Sequence, residues 1–208
     1  MRYFTAATTA FLIATTPPAF ADRGSSLPNA NPQPAAATEA PETQAAPITI
    51  PEQLITNLQR DFGLTRSQAA GITGNLAHES GNFRMLAEIN GGCYGYSQWC
   101  GPRKSRFRSY AARVGGQESF QANYGYLHYE LKSEYGAMMR RIRATDDVSQ
   151  VARIFMKTYL RPRASTANLQ RRVRFSEMYL ADRFDGAGCY SHFQLEASNR
   201  PAACPEST

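Results

Sequence analysis

The chain lacks an apolar run long enough to cross a bilayer. The stretch from Ala6 to Ala14 is short, threonines interrupt it and Pro17-Pro18 follows it, so no stable membrane span is expected. Metal ligands are scarce. The three histidines, His78, His128 and His192, form no ligand pattern, and the spacing of Cys93 and Cys100 does not suit a zinc knuckle, so neither metal nor cofactor is expected. Internal repeats are absent. Clusters of Lys and Arg interleaved with aromatic residues are also missing. Arg171-Arg172-x-Arg174 comes nearest, and it fits a solvated helix face better than a nucleic-acid surface.

What is present begins with an export-like leader. Arg2 gives a short positive start, residues 6–14 an apolar middle, and Ala19-Phe20-Ala21 a cleavage site, so Met1 to Ala21 reads as a signal peptide. An exported protein, periplasmic or secreted, is expected. Loss of Arg2 lowers the formal charge of +6 by one, and a modestly basic exported chain suits an anionic polymer, a membrane surface or nucleic acid alike. Residues 22–47 are rich in Ala, Pro, Asn, Gln and Thr, with prolines at 28, 32, 34, 41 and 47. With almost no large apolar side chains, this segment reads as a disordered linker. Four cysteines in an exported chain favour two disulfides. Of the three pairings, closeness in sequence favours Cys93–Cys100 and Cys189–Cys204.

Residues 48–188 are long enough for one core. A first helix is expected from Pro51 to Phe62, with Gly63 just beyond it and Leu54, Ile55, Leu58 and Phe62 buried. A second opens on the capping box Thr65-Arg66-Ser67-Gln68 and runs to Glu79, with Gly71 and Gly74 admitting a close neighbour and Gly81 stopping it. Residues 82–101 read as an irregular loop or small β-hairpin. A long helix is expected from Gln117 to Arg143, another from Asp146 to Tyr159 ended by Arg161-Pro162, and a last from Thr166 to Arg183 with Leu169, Val173 and Leu180 inward. Residues 189–208 form a tail closed by the second disulfide. The class is α+β and mainly helical.

The chemistry concentrates in Gly74–Phe83 and Gly91–Cys100. A carboxylate at a helix end, Glu79, precedes a glycine-rich aromatic loop carrying Gln98 and Trp99. One acid that protonates a glycosidic oxygen, with polar and flat groups to hold the rings, suits sugar chemistry. Burial beside Trp99, Tyr94 or Tyr96 would keep the Glu79 carboxyl protonated. Glu88 is the candidate second carboxylate, or else a solvated loop acid. Ser80 either bonds substrate or caps the helix. Tyr96, Gln98 and Trp99 are candidate substrate-binding residues, with core packing the plainer role for Trp99. Arg103 pairs with a carboxylate near the cleft or lies on the surface. His78 points about 100° around the helix from Glu79 and has no catalytic role.

Three blocks carry a family likeness. Leu64-Thr65-x-x-Gln68-Ala69-Ala70-x-Ile72-x-Gly74-Asn75-Leu76-x-x-Glu79-Ser80 resembles the opening of the phage tail-type lysozyme domain. Gly95-Tyr96-Ser97-Gln98-Trp99, with Gly101 and Arg103, resembles its second block, and Ala152-x-x-Phe155-x-x-x-Tyr159-x-Arg161-Pro162 its third. The likeness spans residues 50–183, and the export signal makes the secretion-activator muramidases of Gram-negative bacteria the nearest variety. It implies a lysozyme-like fold, cleavage of peptidoglycan glycan strands, and Glu79 as catalytic acid. The Glu-Ser step also resembles lytic transglycosylases, whose loop glutamine matches Gln98. Hydrolysis and 1,6-anhydro formation stay open, as does a non-catalytic wall-binding or secretion-scaffold role, with a secretion apparatus as a further partner. A monomer is expected. Leu160 departs from the acidic residue often found before the Arg-Pro of the third block, which is therefore read as structural.

Overall fold

The computed structural model describes residues 48–88, 91–189 and 202–203. The expected leader (1–21) and linker (22–47) and most of the tail, including Cys204 of the expected Cys189–Cys204 pair, lie outside the described residues. α1 (Ile50–Phe62) starts where the Thr49 side chain accepts from the Glu52 amide, and it ends where left-handed Gly63 donates its amide to the Gln59 carbonyl. Ile50, Leu54, Ile55 and Leu58 face the core; Phe62, expected with them, is only half-buried.

α2 (Arg66–Glu79) is the centre of the molecule. Both bonds of its capping box form: Gln68 N to the Thr65 hydroxyl, and Thr65 N to the Gln68 amide oxygen. Every residue from Gln68 to Ala77 is buried. A helix surrounded on all sides needs small residues, and Ala69, Ala70, Gly71, Gly74 and Ala77 supply them. A Cβ on Gly71 would lie 2.5 Å from Val151, and one on Gly74 would lie 2.7 Å from the Cα of Ser176. These two glycines let α6 (Val148–Phe155) and α7 (Leu169–Leu180) press on α2 from two sides.

After α2 the chain forms a two-stranded antiparallel hairpin, β1 (Cys93–Tyr94) with β2 (Trp99–Cys100), in register Cys93↔Cys100 and Tyr94↔Trp99. The Cys93–Cys100 disulfide closes it. α3 (Gly101–Ala111) follows directly. No apolar period marks it in the sequence, because only Phe107 and Ala111 of its residues are buried.

The single helix expected over residues 117–143 is two. α4 (Phe120–Ser133) is capped by Ser119, and α5 (Gly136–Arg143) starts after a turn at Glu134 and Tyr135. The turn lets Tyr135 meet the Tyr159 ring edge-on at 4.8 Å while Met138, Met139 and Ile142 still reach the core. α6 continues into a π-helical turn, Met156–Leu160, and a 3-10 turn covers Ala164–Thr166. α7 buries Arg172, Ser176 and Tyr179. The expected stripe of Leu169, Val173 and Leu180 is half-buried, because the glycine-lined surface of α2 accepts the small Ser176 and not a leucine ridge. A second small sheet pairs β3 (Gly188–Cys189) with β4 (Ala202–Ala203). No helix among the described residues is long and apolar enough to cross a membrane.

Candidate active site

Glu79 is the last residue of α2, and the turn after it is unusual. Gly81, Asn82 and Phe83 all have positive φ, of 55°, 60° and 65°. A left-handed Phe is strained, so its surroundings must hold it. The Ser80 hydroxyl does so, donating to the Leu76 carbonyl at 2.7 Å and accepting from the Phe83 amide at 3.1 Å. The Phe83 ring is fully buried and meets Tyr96 edge-on. Ser80 is itself fully buried. Its part is to cap the helix and fix the turn, so of the two roles left open for it the capping role holds and substrate binding is corrected.

The turn places Glu79 in a cleft of about 540 Å³ with three walls. The first holds Glu79, Met85 and Glu88. The second is the hairpin, with Ser97, Gln98 and both cysteines of the disulfide. The third is the segment after the π-helical turn, with Leu160, Arg161, Pro162 and Thr166. The structure thus brings Glu79, Glu88 and Gln98 to one cavity. Glu88 is exposed, and its carboxylate accepts from the Cys93 amide at 3.0 Å, which ties it to the hairpin. Gln98 sits at φ 47°, and its amide nitrogen donates to the carbonyls of Leu86 and Gly95, both at 2.9 Å. Both amide hydrogens are committed, so its oxygen is the group left without a partner among the described residues.

Tyr96 and Trp99 do not join them. Their exposures of 1% and 0% leave no face for a sugar. Trp99 stacks on Phe107 at 4.5 Å and meets Tyr126 edge-on at 5.0 Å, and Tyr96 packs on Phe83 and Phe120. Both are core residues that anchor the loop from behind, Trp99 from β2 and Tyr96 from the turn between the strands. The exposed apolar side chain in the cleft is Met85.

Behind the hairpin lies a buried charged node that the sequence did not disclose. The Glu130 carboxylate on α4 is fully buried and accepts from Trp99 Nε1 at 2.8 Å, Tyr159 OH at 2.6 Å, and Arg103 Nε and Nη2 at 2.9 and 2.8 Å. Four donors satisfy the carboxylate, which a buried charge requires. Burial and the Glu130 charge push the Tyr159 hydroxyl far above its ordinary pKa, so it stays a neutral donor. The node ties the hairpin, α3, α4 and the π-helical turn to one point, so Gln98 and Arg161 are set relative to a common anchor. Arg103 therefore does pair with a carboxylate.

The partner of Glu79 is also unexpected. Arg172 of α7 is 1% exposed, and its Nη1 lies 2.7 Å from Glu79 Oε1. The contact is close but poorly aligned, so it is an ion pair and not a good hydrogen bond. Arg172 Nε donates to the Ala167 carbonyl at 2.6 Å. The expected apolar, aromatic surroundings of Glu79 are thus corrected to a guanidinium. The solvated face expected for Arg172 is corrected as well; the helical spacing of Arg172, Ser176 and Tyr179, with the glycines of α2 in need of a close partner, is the signal for its burial. His78, next to Glu79, is held down to about pKa 4 by burial, with Arg172 and Arg171 adding to the effect.

A family model described as phage tail lysozyme matches residues 52–181. No curated protein and no solved structure matches the chain.

Proposed function

The chain belongs to the phage tail lysozyme family, and we propose that Glu79 is the general acid with which it cleaves the β-1,4 bond between MurNAc and GlcNAc in peptidoglycan. A lysozyme-like, peptidoglycan-directed activity follows from the family. The observation that carries the finer reading is the meeting of Glu79, Glu88 and Gln98 in one open cleft, each held by a different local device. Glu79 gives a proton to the glycosidic oxygen as the bond to C1 breaks; with Arg172 facing Oε1, the transferred proton is carried on Oε2. Glu88 takes a proton from the water that attacks C1, and the Gln98 oxygen, the acceptor not already engaged, orients that water or a sugar hydroxyl. Met85 offers an apolar contact to a ring face. The leader of residues 1–21 would carry the domain to the periplasm, where local opening or remodelling of the wall is the role that suits it.

The test is digestion of purified peptidoglycan with mass analysis of the fragments. Wild-type protein should release muropeptides and Glu79→Gln should lose about a hundred- to ten-thousand-fold in rate while remaining folded. A folded Glu79→Gln protein of near-normal activity removes Glu79 from the role. Reducing ends would mark hydrolysis, and 1,6-anhydro ends would assign the same Glu79 to a lytic transglycosylase.

A further inference from the structure

Arg161 lines the same cleft as Glu79, and its setting is not that of an ordinary surface arginine. It is exposed, and its backbone is left-handed, with φ 53° and ψ 50°. A non-glycine residue in that region is held there by its neighbours. Here the Arg161 amide closes the π-helical turn on the Met156 carbonyl at 2.8 Å, and Pro162 follows at once. The side chain is fixed as well. Nε donates to the Thr158 carbonyl at 2.8 Å, which orients the guanidinium plane. The edge formed by Nη1 and Nη2 has no partner among the described residues.

The two acids of the cleft do not answer it. Glu79 is paired with Arg172, and Glu88 accepts from the Cys93 amide. The ion pairs among the described residues engage Arg60, Arg66, Arg103 and Arg172. A pinned guanidinium with its two-nitrogen edge open matches the two oxygens of a carboxylate better than it matches a neutral hydroxyl.

We propose that Arg161 forms a carboxylate-binding subsite of the cleft, so that the preferred substrate is a glycan strand bearing a carboxylate near the scissile bond. The inference rests on the lysozyme reading and adds the chemical class of substrate. Wall glycan offers two sources of carboxylate: the peptide stem, and the lactyl group of a muramic acid whose stem has been removed.

The test uses the full chain, wild type, Arg161→Gln and Arg161→Lys, against three glycan strands of equal length. One carries peptide stems, one is stripped to free lactyl carboxylates, and one is stripped with those carboxyls capped as neutral amides. Arg161→Gln should raise KM on the order of ten-fold on whichever charged strand supplies the contact. It should leave the capped strand within about two-fold, and Arg161→Lys should recover part of the loss. The strand that responds identifies the source. Equal losses on charged and capped strands would overturn the proposal. If wild type cleaves none of the strands, the lysozyme reading fails separately. Co-sedimentation of the same strands then decides the subsite: charge-selective binding lost in Arg161→Gln sustains it, and unchanged binding removes it.

Discussion

Arg172 Nη1 stands 2.7 Å from Glu79 Oε1, and of the two side chains the arginine is the buried one, at 1% exposure against 19%. This ion pair joins the end of α2 to the first turn of α7. It exists because Gly74 lets α7 approach until Ser176 touches the α2 backbone. One carboxylate oxygen of Glu79 is thereby occupied, and in the proposed general-acid role Oε2 is the oxygen that would meet substrate.

Replacing Arg172 should therefore act through Glu79. Arg172→Met should lower kcat by about ten- to a hundred-fold with little change in KM, since small misplacements of a reacting group carry penalties of that size. Arg172→Lys, which keeps the charge, should recover part of the rate. The measurement is steady-state kinetics on soluble glycan fragments, with circular dichroism as the check on folding. Equal rates for the Met and Lys variants would show that charge at this position is irrelevant.

Gly74→Ala should destabilise the fold by about 2–3 kcal/mol, as over-packing of a tight interface does. The added carbon would meet Ser176, including its backbone, which cannot step aside. Gly63→Ala is the control: it meets no neighbour and carries only the strain of its left-handed backbone. Urea midpoints compare the two. A loss at position 74 no greater than at 63 would contradict the packing described.

Stability should fall below pH 6.5 in part because of His78. Its folded pKa is about 4, lowered chiefly by burial and then by Arg172 and Arg171, against an ordinary 6.5. As pH falls, the unfolded chain takes up this proton first, so the contribution is full above about 6.5 and is lost progressively down to about 4. The whole shift corresponds to about 3 kcal/mol, and half-exposure of the ring leaves on the order of 1–2 kcal/mol. His78→Gln should flatten melting temperature against pH over that window. A slope equal to wild type would assign the effect to other groups.

Opening the Cys93–Cys100 bond should weaken the protein modestly and the site more. A loop this short gains about 2–3 kcal/mol from closure. The bond also brackets Gln98 and the amide that holds Glu88, so activity should drop further than stability explains. Mild reduction followed by activity and melting measurements tests this. Full activity in the reduced, folded protein would show that the hairpin is held by the Glu130 node alone.

Local signals were legible in the sequence wherever the determinant is local. The Thr65 capping box, left-handed Gly63 and the small residues of α2 announce helix ends and a crowded helix without knowledge of the partner, because their physics is complete within a few residues. The cysteine pair, with Gly95 between them and Gly91-Gly92 before them, announces a hairpin for the same reason. Pairings across the fold were not legible. Nothing near Arg172 in sequence shows that it is buried against Glu79, and nothing near Glu130 shows that Trp99, Tyr159 and Arg103 converge on it. For Trp99 the sequence leaves both a sugar platform and a core ring open, and Phe107 and Tyr126 decide for the core. The split between α4 and α5 escaped the apolar period, since both halves keep the same spacing. The sequence by itself thus determined the caps and ends of α1 and α2 and named three of the side chains that meet in the cleft, Glu79, Glu88 and Gln98. The tertiary structure alone decided which charge faces which, because a charge is stabilised by what long-range packing brings within a few ångströms, and that packing is set by the close approach of α7 and the π-helical turn to the rest of the core.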